Sequence, residues 1–277
     1  MLYKKFSPSE ALSPYIECYF VWKGEHTGTE DFIVESPPSG FCSIVFNLGE
    51  PYRLQNRKYE QLLVPNCFIA GQSIYIYQLR LAGKIDSAGI VFKPAALSTL
   101  FELPIYQYTE ERVELSKVFL PALVERLSTA LKNEPEPIGR ARILDQFLLD
   151  HVNQNQPTPD AIDRVANTIV EKNGLVHLAD LLDGVFMSRR NFERRFFRKV
   201  GLSPKYYARL RRMSYLFNLI AGKKRVEWAK VFSECEYYDH SHLTKDFVEF
   251  VGMTPAQFLE KNRLMANFVE RPRQQPL

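Results

Sequence analysis

The spacing of apolar residues along the chain changes at about residue 94. Before that point, short runs rich in β-branched and aromatic residues predict β-strands, and clusters of Gly, Pro, Ser and Asn separate the runs. Within Tyr75–Leu81, apolar and more polar positions alternate, which is typical of a strand with one exposed face. The predicted strands are 16–22, 42–48, 67–70, 74–82 and 87–92. Their number and spacing predict a small antiparallel sandwich or barrel.

Beyond Pro94, apolar residues recur every three or four positions, which predicts helices. Three of them, 95–102, 116–131 and 138–150, follow the strands directly. The polar stretch 153–159, NQNQPTP, then predicts a domain boundary. The chain is therefore expected to be α+β, with a β-rich domain and accessory helices at 1–155 and an all-helical domain at 156–277. Seven helices are predicted in the second domain, at 160–171, 177–183, 189–200, 205–221, 226–234, 240–251 and 255–262.

The helical domain contains one pattern twice, and corresponding residues, such as Phe192 and Leu243, lie 51 positions apart. MSRRNFERRFFRKVGLSP begins at Met187, and DHSHLTKDFVEFVGMTP begins at Asp239. In the first copy Phe192, Phe196 and Val200 share one helix face, which predicts burial. Each copy starts with a capping residue and ends in Gly-x-Ser/Thr-Pro, and a short helix precedes it. This arrangement predicts two helix-turn-helix units, at about 175–201 and 226–252.

Positive charge is concentrated in and after the first copy. Residues 188–225 carry 13 basic residues and one acidic residue, Glu193, a net charge of +12. Because the whole chain has a formal net charge of +4, the remainder carries −8. Arg190, Arg194 and Arg198 lie four residues apart and form a stripe beside the apolar face. Such an asymmetry indicates a segment that binds a polyanion.

These residues resemble the DNA-binding domain of the AraC/XylS family of bacterial transcription regulators. The resemblance covers about residues 160–263 and rests on SRRNFERRFFRKVGLSP, PKYYARLRRMSYLF and YYDHSHLTKDFVEFVGMTPAQFLE. It implies two units joined by a long helix, which enter adjacent major grooves of double-stranded DNA. The implied base-reading residues are Arg189, Arg190, Glu193 and Arg194 in the first unit and His240, Ser241, Thr244 and Lys245 in the second. Phosphate candidates are Ser188, Arg198, Lys205, Arg209 and Arg212, with packing left open for Lys205, Arg209 and Arg212.

The sequence departs from the family pattern in the second unit. Family members commonly have a small residue and a glycine in the short helix and the turn, where this chain has Phe232 and Glu236. Leu182 and Phe186 stand at the comparable places of the first unit. The turns are therefore expected to be packed differently, which makes the contacts of the second unit harder to assign.

The N-terminal half also resembles an uncharacterised β-rich domain found on some AraC-type regulators, related in plan to a cupin-like sensor domain. The matching stretches are IECYFVW, PSGFCSIVFNLGEPY and FIAGQSIYIYQLRLAGKIDSAGIVFKPAAL. The implied role is sensing of an unknown small-molecule effector, homodimerisation or both, with RNA polymerase as a further partner of an activator. No signal peptide or membrane span is evident, so a cytoplasmic location and no membrane partner are expected.

Other classes of protein have little support in the sequence. A cupin-like metalloenzyme would need histidine ligands, and the N-terminal 150 residues contain only His26. A DNA-repair protein with a fused DNA-binding domain would need reactive and zinc-binding cysteines, but Cys18, Cys42, Cys67 and Cys235 lack that pattern. We therefore expect no catalytic residue, no metal site and no cofactor.

Overall fold

A computed structural model describes residues 1–28, 31–221, 226–261 and 274–277. The N-terminal part contains two β-sheets. One has seven strands in the order β10-β7-β4-β9-β2-β1-β11: Leu2–Phe6 (β1), Ile16–His26 (β2), Ser43–Asn47 (β4), Cys67–Ala70 (β7), Gly83–Phe92 (β9), Arg112–Glu114 (β10) and Gln274–Gln275 (β11). The other has four strands in the order β3-β8-β5-β6: Phe32–Ser36 (β3), Arg53–Gln55 (β5), Leu62–Leu63 (β6) and Tyr77–Leu81 (β8).

Nearly all neighbouring strands are antiparallel. The exception within the described residues is β11, which pairs with β1 in parallel. Two apolar clusters each contain side chains from both sheets, and Tyr52 and Leu79 pack against both clusters. The prediction of an antiparallel β-rich domain is confirmed, and its interior is a packed core.

Ten helices follow within the described residues. Three belong to the N-terminal part: Ala96–Phe101 (α1), Pro121–Asn133 (α2) and Pro137–Asn155 (α3). The remaining seven are Ala161–Glu171 (α4), Leu178–Leu182 (α5), Arg189–Val200 (α6), Pro204–Ile220 (α7), Trp228–Glu234 (α8), His240–Val251 (α9) and Pro255–Lys261 (α10). The predicted helical character of the C-terminal domain is thereby confirmed, but Gln274–Gln275, which the prediction included in that domain, form β11 of the N-terminal sheet. The predicted stop of α7 at Gly222, the basic residues 223–225 and the end of the last helix at Asn262 lie outside the described residues.

Strong capping signals explain the sharp helix starts. The Asp160 carboxylate accepts hydrogen bonds from the N–H groups of Ile162 (2.8 Å) and Asp163 (3.3 Å). In return, the Asp163 carboxylate accepts a hydrogen bond from the N–H of Asp160 (2.9 Å). These bonds form a capping box at the start of α4. Pro204 at the first position of α7 fixes a helical backbone angle at no hydrogen-bond cost. Because these signals are local, the sequence places the starts of α4 and α7 to within one residue, whereas the helix predicted from residue 116 begins only at Pro121.

One predicted strand is shorter than the sequence indicated. The run 74–82 forms β8 only from Tyr77 onward. The N–H groups of Ile74 and Tyr75 donate to the Glu110 carboxylate, and that of Ile76 donates to the carbonyl oxygen of Phe250 at 3.0 Å. These residues leave the sheet because their backbone donors bind partners elsewhere.

Two large apolar cores meet along this loop. One lies between the seven-stranded sheet and α1–α3, and the other lies among α4–α10. Ile74 and Ala95 come from the N-terminal part of the chain but pack in the second core. In addition, the Tyr207 hydroxyl donates to the Gly40 carbonyl oxygen at 3.0 Å, so α7 is fixed to the N-terminal part.

Candidate DNA-binding surface

The first helix-turn-helix unit consists of α5, a turn and α6. The Ser188 hydroxyl caps α6 by accepting a hydrogen bond from the N–H of Asn191 at 3.4 Å, and Gly201 ends the helix at φ 88°. Phe192, Phe196 and Val200 are fully buried. The predicted apolar face of α6 is confirmed, and its opposite face is left to solvent.

The basic residues of α6 fall into two groups with different surroundings. Arg195 donates to Asp160 at 2.6 Å, and Lys199 lies 2.5 Å from Asp163, so these two side chains hold α6 against the start of α4. Arg190 and Arg198 are exposed, and the described part of the chain offers neither of them a hydrogen bond or ion pair. Fewer cations of α6 therefore face solvent than a count of its basic residues implied.

Arg189, Glu193 and Arg194 also lie on the outer part of α6. Arg189 Nε donates to Glu193 Oε1 at 2.9 Å, and Arg194 Nη2 donates to Asn191 Oδ1 at 3.0 Å. Both bonds join exposed side chains within one turn of helix, where such pairs contribute little stability. A base or phosphate can replace either partner at small cost, so all three residues remain available to a ligand.

The second unit consists of α8, a turn and α9. Asp239 caps α9 by accepting from the N–H of His242 at 2.7 Å. His240, Ser241 and Lys245 are exposed, and Thr244 Oγ1 lies 3.1 Å from His240 Nδ1. The outer face of α9 thus carries one cation beside hydroxyl and imidazole groups, where α6 carries arginines.

The turn of the second unit contains a strained residue at the position noted in the sequence. Glu236 has φ 50°, in the left-handed region, and the turn of the first unit has Gly184 at φ 77°. A residue with a Cβ is destabilised by about 1 kcal/mol or more in this region of backbone angles, whereas glycine is not. Both turns therefore use left-handed backbone, and the second adopts it without a glycine. In the first unit this conformation falls on Gly184 and not on Phe186, the residue that the sequence comparison paired with Glu236.

Glu236→Gly should raise the free energy of unfolding by up to about 1 kcal/mol, because relief of the strain exceeds the added entropy of the unfolded chain. Glu234→Gly is the matched control: Glu234 ends α8, and glycine should lower the stability there by up to about 1 kcal/mol. Urea denaturation of both variants measures the two changes. Equal losses would show that residue 236 is not strained.

Arg209 and Arg212 on α7 do not face solvent as free cations. Arg209 donates to Asp246 at 2.7 Å and to Glu249 at 2.5 Å, and Arg212 donates to Asp246 at 3.2 Å. The sequence left phosphate contact and packing open for both residues, and the structure places both in packing contacts between α7 and α9. Lys205, in the first turn of α7, is exposed.

The buried carboxylate of Asp246 was not identified from the sequence. Its side chain is 2 % exposed and also accepts a hydrogen bond from the Tyr237 hydroxyl at 3.3 Å. The available signal was an acidic residue three positions after Leu243, on the apolar side of α9, because a charge at a buried helix position requires partners. Asp246 ties the linking helix, the turn and α9 together.

The cysteines and potential metal ligands are arranged as in a structural core. Burial raises the pKa of Cys18, Cys42 and Cys235 to about 12, so each thiol stays protonated at neutral pH. In the described ranges, no three His, Cys, Asp or Glu side chains come together as a metal site would need. Nor is any helix in those ranges both long and apolar enough to cross a membrane.

Comparison with protein families gives two matches. Residues 181–261 match a family described as a helix-turn-helix domain, and residues 4–114 match a domain of unknown function, DUF6597. The helix-turn-helix match spans most of the first unit and the whole of the second. No curated protein matches the sequence.

Similar solved structures include the ToxT protein of Vibrio cholerae. One ToxT structure is 10 % identical, covers 87 % of this chain and 98 % of its own, and has a TM-score of 0.45. Another, with bound unsaturated fatty acid, is 12 % identical, covers 88 % of this chain and 94 % of its own, and has a TM-score of 0.44. A third holds (E)-4-(8-methylnaphthalen-1-yl)but-3-enoic acid, with 10 % identity, coverage of 87 % and 98 %, and a TM-score of 0.44.

Two capped helices on a common linking helix, each preceded by a short helix and a turn, define a sequence-specific DNA-binding protein with two helix-turn-helix units. The matched domain at residues 181–261 is of the AraC type. The chain therefore carries an AraC-type helix-turn-helix domain and is a DNA-binding transcription regulator, as its sequence resemblance predicted.

Proposed function

We propose that the N-terminal halves of α6 and α9 read bases in two successive major grooves on one face of duplex DNA. The observation that carries this proposal is the exposure of the reading residues on two helices capped in the same way. In helix-turn-helix proteins, the first turns of the second helix contact the base edges. The proposed readers are Arg189, Arg190, Glu193 and Arg194 on α6 and His240, Ser241, Thr244 and Lys245 on α9.

The two helices would read different chemistry. The guanidinium groups on α6 can donate two hydrogen bonds to the O6 and N7 atoms of guanine. The imidazole and hydroxyl groups on α9 make single hydrogen bonds with less charge. An unequal pair of this kind favours a site without palindromic symmetry, bound by one chain across two grooves.

Phosphate contacts are assigned to residues around the first unit. Ser188, Arg198 and Lys205 are exposed at the start of α6, its outer face and the first turn of α7. Two contacts between these cations, Arg198 and Lys205, and phosphates would give a slope of about −1.8 in a plot of log affinity against log salt concentration. The slope is measured by titrating the full chain with a duplex selected from a random library, at KCl concentrations between about 50 and 200 mM. An affinity that does not change with salt would reject the proposal.

Arg194→Ala should weaken binding to the selected duplex by about 1–3 kcal/mol if Arg194 makes a bidentate base contact. Arg195→Ala is a closely matched control, because Arg195 is the next residue and is already paired with Asp160. The measurement is a fluorescence-anisotropy titration of both variants. An equal or larger loss for Arg195→Ala would contradict the assignment of the two groups on α6.

The proposed function also involves partners other than DNA. A small-molecule effector would act on the N-terminal domain, where apolar clusters contain side chains from both sheets and a groove of about 420 Å³ lies between α2 and α3. Its lining combines Leu127 and Phe147 with Arg126 and His151, which suits an amphipathic ligand. The proposal also includes contact with RNA polymerase, formation of a homodimer and a cytoplasmic location. It assigns no catalytic residue to the protein.

A further inference from the structure

A loop of the N-terminal domain reaches the end of α9. Residues 71–76 connect β7 to β8, and Ile74 is buried in the core of the helical domain. The N–H of Ile76 donates to the carbonyl oxygen of Phe250, in the last turn of α9, at 3.0 Å. A direct backbone hydrogen bond therefore holds the C-terminal end of the second recognition helix.

A second segment of the same domain reaches the end of α6. The Tyr106 ring stacks on Phe197 with a centroid distance of 5.3 Å, and Thr109 Oγ1 donates to the carbonyl oxygen of Gly201 at 3.3 Å. A Cβ at Gly201 would lie 2.6 Å from Thr109 Oγ1, so this approach requires glycine. Residues 105–110 thus hold the C-terminal end of the first recognition helix.

Glu110 joins the two segments. Its side chain is buried and accepts hydrogen bonds from the N–H groups of Ile74 and Tyr75 and from Asn56 Nδ2 at 2.8 Å. In addition, the N–H of Glu110 donates to the carbonyl oxygen of Gln72 at 3.0 Å. All three partners of the carboxylate are donors, so the shape of the 71–76 loop depends on the two oxygens of Glu110.

We propose that residues 71–76 and 105–110 form a brace that fixes the separation and angle of the two recognition helices, with Glu110 as its positioning residue. This inference rests on the proposed reading of two grooves. The brace touches the C-terminal ends of α6 and α9, and the proposed readers lie toward their N-terminal ends. It can therefore set the geometry of the two helices without covering the surface that would face DNA.

The brace is a second connection between two units that α7 already joins. A single helix between two bodies leaves freedom at each of its ends, and a second connection removes much of it. When two linked modules bind one ligand, the gain from the second is about 100-fold or more, and it is lost if the geometry forbids both contacts. A rigid pair should therefore accept one spacing of its two half-sites and reject others.

The test uses the full chain and a duplex selected by that chain from a random library. A second duplex carries 2 bp inserted between the half-sites, which rotates one against the other by about 70°. We expect wild type to bind the inserted duplex about 100-fold more weakly than the selected one. Glu110→Gln keeps the side-chain volume but replaces one acceptor oxygen with a donor. The ratio of its affinity for the selected duplex to its affinity for the inserted duplex should fall to about tenfold or less.

Two further variants make the result decisive. Glu111→Gln is the matched control, because Glu111 is bound by Lys58 and Tyr59 within the N-terminal domain, and its ratio should equal that of wild type. Thr109→Val removes the hydroxyl at Gly201 without changing the shape of the side chain, and should lower the ratio in the same direction as Glu110→Gln.

An unchanged ratio in a folded Glu110→Gln protein would overturn the brace, as would equal weakening on both duplexes. If Glu110→Gln fails to fold, an unchanged ratio for Thr109→Val overturns it instead. Failure of wild type to select any duplex would overturn the proposed function and the brace with it, and is recognised before any variant is made.

Discussion

Asp246→Ala should lower the free energy of unfolding by about 3–5 kcal/mol. The substitution leaves Arg209 and Arg212 without their shared carboxylate in a region where Asp246 is 2 % exposed. Removing one member of a buried ion pair costs this much because the remaining charges stay desolvated. Guanidinium chloride denaturation followed by circular dichroism measures the change.

Glu249→Ala provides the comparison for Asp246. Glu249 binds the same Arg209 but its side chain is 34 % exposed, so water can replace it. Its loss should cost no more than about 1 kcal/mol. If the two variants lose the same stability, Asp246 is not the centre of the contact between α7 and α9.

Phe196→Ala should lower the free energy of unfolding by about 3–5 kcal/mol, because it removes a fully buried ring from α6. Phe196 packs beside Phe192 and Tyr207, with ring centroids 5.7 and 6.0 Å away, so the cavity would be enclosed by side chains on two helices. The thermal midpoint and the urea midpoint both report the loss.

Phe197→Ala is the natural control, since Phe197 is the next residue on the same helix and is 46 % exposed. It should lose much less stability than Phe196→Ala, about 1 kcal/mol, from its stacking on Tyr106. A small effect at Phe196 or a large one at Phe197 would mean that α6 faces its core differently.

The helical domain was largely readable from the sequence because its signals are local. The starts of α6 and α9 follow from Ser188 and Asp239, and their ends follow from Gly201 and Gly252. The apolar residues repeat with helical spacing, so the buried face could be predicted as well. Both recognition helices have the predicted bounds.

The sequence predicted that the N-terminal domain is β-rich, but it did not predict all of the strands. β1 was not predicted, because LYKKF places two lysines in a short strand of which only Phe6 is buried. β3 was also missed, since FIVES has only three apolar residues before a turn. Short strands gain their stability from neighbours that are distant in sequence, and periodicity does not report those neighbours.

The charge of residues 188–225 overstated the surface available to DNA. Arg195, Lys199, Arg209 and Arg212 bind carboxylates of α4 and α9, and Arg211 donates to the carbonyl oxygen of Ser39. Their partners lie at least 30 residues away in the sequence, so counting charges within the segment could not find them. The identity of the residues that contact DNA stays a prediction.

One chain is proposed to read two successive grooves with two unequal helices. Hydroxyl-radical footprinting of the full chain on a selected duplex tests this proposal most directly. We expect two protected patches on one face of the duplex, about one helical turn or 10–10.5 bp apart, with different sequences beneath them. We also expect that Ser241→Ala changes only the patch that does not respond to Arg194→Ala. A single patch, or two identical palindromic patches that respond to both substitutions, would contradict it.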